Sequence, residues 1–188
     1  APTGRAAKRL SEAIGEKAVT IHKLLGVTVS DKDSDLNSVY SKNADDPIDS
    51  RVVVVDEASM IDCKLFRALL EAIKPNSSII LLGDPNQLPS IGAGNVLADL
   101  LSCKAIPRVE LEYIYRQGED SSIAANAYRV LKGEKLIGNN EDFVIISERN
   151  EQDAYKRVLE LYQKQTQETS DVAIMSPTKL NMLGTKEL

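Results

Sequence analysis

No apolar stretch in this sequence approaches the roughly 18 residues that mark a membrane-spanning helix, and no secretory leader is visible. A membrane protein is therefore not expected, and we read the chain as cytoplasmic. Histidine occurs once, at His22, and without a Cys or His companion it cannot anchor a zinc site. The two cysteines, Cys63 and Cys103, are far apart and lack Cys-x-x-Cys spacing. We expect two reduced thiols rather than a metal site, while a disulfide stays open on sequence alone. No internal repeat and no low-complexity tract occurs. A basic excess is also missing: the net charge is -5, which argues against a protein that coats nucleic acid electrostatically. The chain opens on Ala1-Pro2-Thr3-Gly4 rather than on Met, so we expect the natural start to lie upstream.

What is present is the composition of a soluble globular protein. The 188 residues are 43% hydrophobic and 27% charged, enough for one domain or for one domain and part of another. The charge is uneven: up to Lys23 the balance is +3, from Arg5, Lys8, Arg9, Lys17 and Lys23 against Glu12 and Glu16, and the remainder carries -8. That start suits a strand-holding surface and an ordinary solvated helix equally well.

Periodicity predicts alternating strands and helices. Residues 5–14 read as a short helix with Ala6, Ala7, Leu10 and Ile14 on one side. A shorter segment, Thr20 to Leu25, stops at Gly26. Residues 27–50, rich in Asp, Ser, Asn and Lys, read as an exposed insertion, in the form of a hairpin. The Val52–Val55 run and the Ile79–Leu82 run read as strands buried on both faces of a parallel sheet. Between them Asp62 to Ile73 forms an amphipathic pattern with Leu65, Phe66, Leu69, Leu70 and Ile73 on one face. Further helices are predicted after Gly92-Ala93-Gly94, over 121–132 up to Gly133, and around 154–162. Further strands are predicted at 107–111, 143–146 and 172–175. Such alternation indicates an α/β fold with a mostly parallel sheet and helices on both faces.

The strand ends carry the chemistry. Ligands of open parallel sheets bind beyond the carboxyl ends of the strands. One strand here runs into Asp56-Glu57-Ala58-Ser59, the other into Gly83-Asp84-Pro85-Asn86-Gln87. An acid at a strand tip can hold hydrated magnesium, and a neighbouring carboxylate can activate water. A nearby Gln can sense a terminal phosphate, and a fixed guanidinium such as Arg116 can neutralise a transferring phosphoryl group. Each feature alone has a plainer reading: acidic pairs cap helices, arginines form surface ion pairs, and His22 reads as a packed residue on the apolar side of its short helix.

Taken in order, these segments resemble the RecD-like superfamily one DNA helicases, the family that includes the exodeoxyribonuclease V alpha subunit. Ala1 to Leu10 is similar to motif Ia, and Thr20 to Leu25 to the segment after it. Val53-Val54-Val55-Asp56-Glu57-Ala58-Ser59-Met60 resembles motif II, and Gly83 to Ser90 with Gly92 to Val96 resembles motif III. Tyr115-Arg116-Gln117 resembles motif IV, and Met175 to Thr185 resembles the start of the second motor lobe. The match covers most of the chain, with 27–50 and 134–170 less diagnostic. It implies a RecA-like P-loop NTPase fold, ATP and Mg as cofactors, single-stranded DNA as partner, and five-prime to three-prime translocation in recombination or repair. It further implies that Asp56 holds magnesium through water and that Glu57 activates the hydrolytic water. Asp84 would lie in the same nucleotide site, and Gln87 and Arg116 would read the γ-phosphate. Thr3, Arg5, Thr20, His22, Ser90 and Asn95 would lie along the DNA. Residues 1–133 would be the remainder of the first lobe and 134–188 the connection and the start of the second. Other subunits of a recombination nuclease complex are implied as partners.

One departure matters. The phosphate-binding pattern Gly-x-x-x-x-Gly-Lys-Ser/Thr is absent. In the family it precedes motif Ia, so the fold implied here is incomplete. Charge-assisted hydrogen bonds contribute about 1.5–3 kcal/mol each, so lacking three removes roughly four to six decades of nucleotide affinity. Negligible nucleotide binding and no ATPase are therefore expected of these residues alone, with an uncovered hydrophobic face that invites self-association. Two other readings stay open: the motor lobe of a conjugative relaxase-type helicase, and a non-enzymatic DNA-binding module with a degenerate ATP site.

Overall fold

The computed structural model describes residues 1–28, 39–111, 121–139 and 141–188. The chain forms two compact units, residues 1–112 and 113–188, and each is described by itself.

In the first unit, polar caps and glycine stops set the helix limits. Helix α1 spans Gly4–Ile14: the Thr3 side chain accepts from the Ala6 N–H, and Gly15 closes the helix at φ 71°. Helix α2, Ile21–Leu24, is capped in the same way by Thr20, which accepts from the Lys23 N–H. Strand β1 (Val27–Thr28) pairs antiparallel with β2 (Val39–Tyr40). Strand β3 (Val52–Val55) pairs in parallel with β4 (Ser78–Leu81), in the register Val52 to Ser78 through Val55 to Leu81. They are joined through a 3-10 turn, Ala58–Met60, and helix α3, Cys63–Ala72, whose N-cap Asp62 accepts from the Leu65 N–H at 2.7 Å. Helix α4, Val96–Ser102, follows.

The core lies on one side of this βαβ unit. Val53 and Val55 face Ile21 and Leu25 of the α2 region and Ile61, Leu65 and Leu69 of the α3 region, all buried. Full burial of such a side chain contributes about 1.5–3 kcal/mol. The opposite side is different. Val52, Val54, Ile80 and Leu82 are 45–52% exposed, so the helices cover one face among the described residues, not both. Strand side chains alternate between faces, and a uniform Val run hides which half is covered.

The 27–50 segment is only partly the exposed insertion expected. Its ends form the β1–β2 pair, and Ile48 is buried and makes a parallel bridge with Ile73. Residues 29–38 lie outside the described residues. The strand expected at 107–111 does not form: no ladder partner is found for it among the described residues, and Val109 and Leu111 are exposed.

The second unit is helical where it is regular. Helix α5, Ser122–Leu131, starts at Ser121 and stops at Gly133 with φ 68°. Helix α6, Glu151–Glu168, starts at Asn150, whose side chain accepts from the Asp153 N–H. Asn126 is buried and bonds Ile137 in both directions, at 2.7 and 2.9 Å, fastening the 134–139 segment to α5. The strands expected at 143–146 and 172–175 do not form: neither segment has a ladder partner among the described residues. The 175–185 segment folds on itself, with Ser176 Oγ donating to the Leu183 carbonyl at 2.6 Å.

Candidate active site

The register of β3 and β4 brings their carboxyl ends side by side. Backbone bonding continues past both strands: the Leu82 N–H donates to the Val55 carbonyl, and the Ala58 N–H donates to the Leu82 carbonyl, each at 2.8 Å. Asp56 and Glu57 sit on the tip of β3, both half-buried. The Glu57 N–H donates to Asp56 Oδ1 at 2.9 Å, which orients that carboxylate. Glu57 itself is left-handed, with φ 56° and ψ 43°. For a residue other than Gly this costs about 1–3 kcal/mol and persists only where neighbours enforce it.

On the tip of β4, Asp84 Oδ1 accepts from the Asn86 N–H at 2.9 Å, and the Asp84 carbonyl accepts from the Gln87 N–H at 3.2 Å. This tight turn leaves the Asp84 and Gln87 side chains exposed. Farther on, the Ser90 hydroxyl donates to the carbonyls of Gly92 and Gly94 at 2.9 and 3.0 Å. Gly92 and Gly94 press onto Asp62 and Cys63, and a Cβ at either would overlap those side chains. Motif III is thereby seated on the start of α3. Asn95 heads α4 with an exposed side chain that caps nothing.

The α1 and α2 starts meet at residue 1. The Ile21 N–H donates to the Ala1 carbonyl at 2.9 Å, and the Ala1 nitrogen donates to the Val19 carbonyl at 3.1 Å. Thr3 and Thr20 accept their capping bonds at 3.2 and 3.1 Å and keep their own hydroxyl hydrogens to donate. Arg5 and His22 are exposed. The packed reading of His22 fails, because Ile21 and Leu25 occupy the inward positions of that turn.

The structure thus brings Asp56, Glu57, Asp84 and Gln87 onto two adjacent strand ends, with Thr3, Arg5, Thr20 and His22 on a neighbouring pair of helix starts. Arg116 lies outside the described residues. Sequence reasoning passed over two positions in the motifs. Ser59 is 4% exposed, and its hydroxyl has no hydrogen-bond partner among the described residues. Gly83 approaches the motif II backbone closely. Among the described residues no three His, Cys, Asp or Glu side chains gather as a metal cage. A single strand-tip carboxylate fits a magnesium ion that keeps most of its water. A cavity of about 420 Å³ in the second unit is lined by residues between Ile146 and Leu183 and includes none of these groups.

A family model described as an AAA domain matches residues 1–150. The chain belongs to that family. This AAA domain is also RecD-like. It is 37% identical over 134 residues to the ATP-dependent RecD2 DNA helicase of Deinococcus radiodurans, covering 71% of this chain and 17% of that protein. It is 37% identical over 146 residues to the RecBCD enzyme subunit RecD of Mycolicibacterium smegmatis, covering 69% of this chain and 26% of that protein. It is 40% identical over 121 residues to the RecBCD enzyme subunit RecD of Haemophilus influenzae, covering 53% and 18%. The chain spans between 17% and 26% of the length of these relatives. The AAA domain's parallel β3–β4 pair with its packed helices is the α/β, RecA-like architecture that the motifs led us to expect. No helix among the described residues is long and apolar enough to cross a membrane.

Proposed function

We propose that this chain is part of the motor of an ATP-dependent DNA helicase that moves five-prime to three-prime on single-stranded DNA in recombination or repair. One observation carries the reading: Asp56 and Glu57 stand at the end of β3 directly beside Gly83-Asp84 at the end of β4, held there by the Val55–Leu82–Ala58 backbone bonds. In this site Asp56 holds magnesium through water, and Glu57 accepts the proton of the attacking water. Bound ATP with magnesium supplies the phosphoryl group whose release drives movement. Asp84 belongs to the same cleft, and Gln87 and Arg116 read the terminal phosphate. The role of Arg116 rests on motif resemblance alone.

The exposed Arg5 and His22, with the Thr3 and Thr20 hydroxyls, form the DNA-facing side together with Ser90 and Asn95. Motif III, seated on α3 through Gly92 and Gly94, joins the two sides. We assign residues 1–133 to the first motor lobe and 134–188 to the connection and the start of the second. The protein acts in the cytoplasm, with subunits of a recombination nuclease complex as candidate partners. The chain by itself, which has no Gly-x-x-x-x-Gly-Lys-Ser/Thr loop, does not hydrolyse ATP.

The test is ATP hydrolysis with and without single-stranded DNA by a full-length protein containing these residues. Stimulation by DNA, lost in Glu57→Gln, is the expected result. A folded, DNA-binding protein without hydrolysis would favour a binding module instead.

A further inference from the structure

We propose that Gly83 is a positioning residue for Glu57, acting through the space it leaves for the motif II backbone. The inference rests on the catalytic role proposed above for Glu57.

The argument starts from the left-handed Glu57. Its conformation is bracketed by the bond from its own N–H to Asp56 Oδ1 at 2.9 Å and by the bond from the Ala58 N–H to the Leu82 carbonyl at 2.8 Å. The second bond requires the chain leaving β4 to pass close to the Ala58–Ser59 peptide. Gly83 is the residue at that crossing. A Cβ there would stand 3.1 Å from the backbone nitrogens of both Ala58 and Ser59, and 2.9 Å from Leu97 Cδ2.

Leu97 can yield, because the atom concerned is the far end of a flexible side chain. The two backbone nitrogens cannot retreat without stretching the Ala58–Leu82 bond and turning the peptide that holds Glu57. Among the described residues the Ser59 hydroxyl has no partner that would anchor the turn independently. Nor does Gly83 owe its identity to its own backbone. Among the described residues the glycines with positive φ are Gly15, Gly26, Gly94 and Gly133, so Gly83 has a conformation open to other residues. Space rather than backbone conformation is what favours glycine here.

A shift of the Glu57 carboxylate leaves nucleotide affinity largely intact but removes the water from its reach. The experiment is steady-state ATP hydrolysis by the full-length protein, saturated with single-stranded DNA, for Gly83→Ala, Leu97→Val, Gly83→Ala/Leu97→Val and Glu57→Gln. Gly83→Ala, whose backbone contacts at 3.1 Å call for a shift of a few tenths of an ångström, should lower kcat about tenfold, less than the ~100-fold of a 1 Å misplacement, with KM for ATP within about threefold. Leu97→Val alone should keep wild-type turnover. The double variant removes the Leu97 overlap and protects folding, yet should stay as slow as Gly83→Ala, because the backbone contacts remain.

Full activity of Gly83→Ala, or recovery in the double variant, would overturn the inference and make Gly83 a packing residue. An active Glu57→Gln would remove the reading of Glu57 itself. An inactive Glu57→Gln beside an active Gly83→Ala would remove only the role of Gly83.

Discussion

The Leu82 backbone bonds both sides of the motif II turn: its N–H donates to the Val55 carbonyl and its carbonyl accepts from the Ala58 N–H, each at 2.8 Å. The residues between those two partners are Asp56 and Glu57, so the residue just past β4 holds the acidic pair that follows β3. The acidic pair is thus held by backbone bonds from the neighbouring strand end, together with the bond from the Glu57 N–H to Asp56 Oδ1.

The strain at Glu57 has a measurable counterpart. Glycine relieves a left-handed conformation that costs other residues about 1–2 kcal/mol. Glu57→Gly should therefore raise unfolding stability by about 1 kcal/mol in urea denaturation, and Glu57→Gln should leave it unchanged. Both should abolish hydrolysis in the full-length protein. A destabilised Glu57→Gly would show that the turn is not strained.

The helix starts separate capping from DNA contact. Thr3→Ala and Thr20→Ala each remove a cap and should cost about 1 kcal/mol of stability, with Ser restoring most of it. Arg5 is exposed and makes no ion pair among the described residues. Arg5→Ala should leave stability unchanged but weaken single-stranded DNA binding, reducing the salt slope by about 0.7. An unchanged salt slope would remove Arg5 from the DNA-facing side.

Helix starts and stops were legible in the sequence because their causes are local. Gly26 and Gly133 end helices where expected, and Asp62 begins α3. The two strands were legible from their β-branched runs. Which face of Val52–Val55 is covered was not, since four identical residues carry no alternation. The apolar runs at 143–146 and 172–175 look like strands and form none, because a ladder needs a partner that composition does not specify. In the site, Asp56, Glu57, Asp84 and Gln87 were legible as strand-end residues. The left-handed turn at Glu57 and the crossing at Gly83 were not, because they arise from two segments about 25 residues apart meeting at one peptide.

Acid should loosen the start of α5. Ser121 Oγ donates to Asp142 Oδ2 at 2.8 Å and Asn139 Nδ2 donates to Oδ1 at 2.7 Å. These bonds, that from Ser121 foremost, hold the Asp142 carboxyl below the usual carboxylate range. A lowered folded pKa means the contribution is complete above the unfolded value, about 3.9. It is lost as pH falls through the lower folded value. Side-chain NMR titration should find Asp142 titrating below the ordinary aspartate value of about 3.9, and Ser121→Ala should move it upward. An ordinary Asp142 titration would show that the Ser121 bond does not persist in solution.

The uncovered sheet face should make the isolated chain self-associate. Val54 and Ile80 are register partners, 45% and 47% exposed. Sedimentation should show concentration-dependent association, suppressed in Val54→Lys and in Ile80→Lys. Unchanged association in both variants would place the contact elsewhere.

The central claim is best tested by DNA-stimulated ATP hydrolysis, measured in parallel on this chain and on a full-length protein that contains it. The account predicts turnover in the full-length protein, its loss in Glu57→Gln, and none in the chain alone. Hydrolysis by the chain alone, or undiminished hydrolysis by full-length Glu57→Gln, would contradict it.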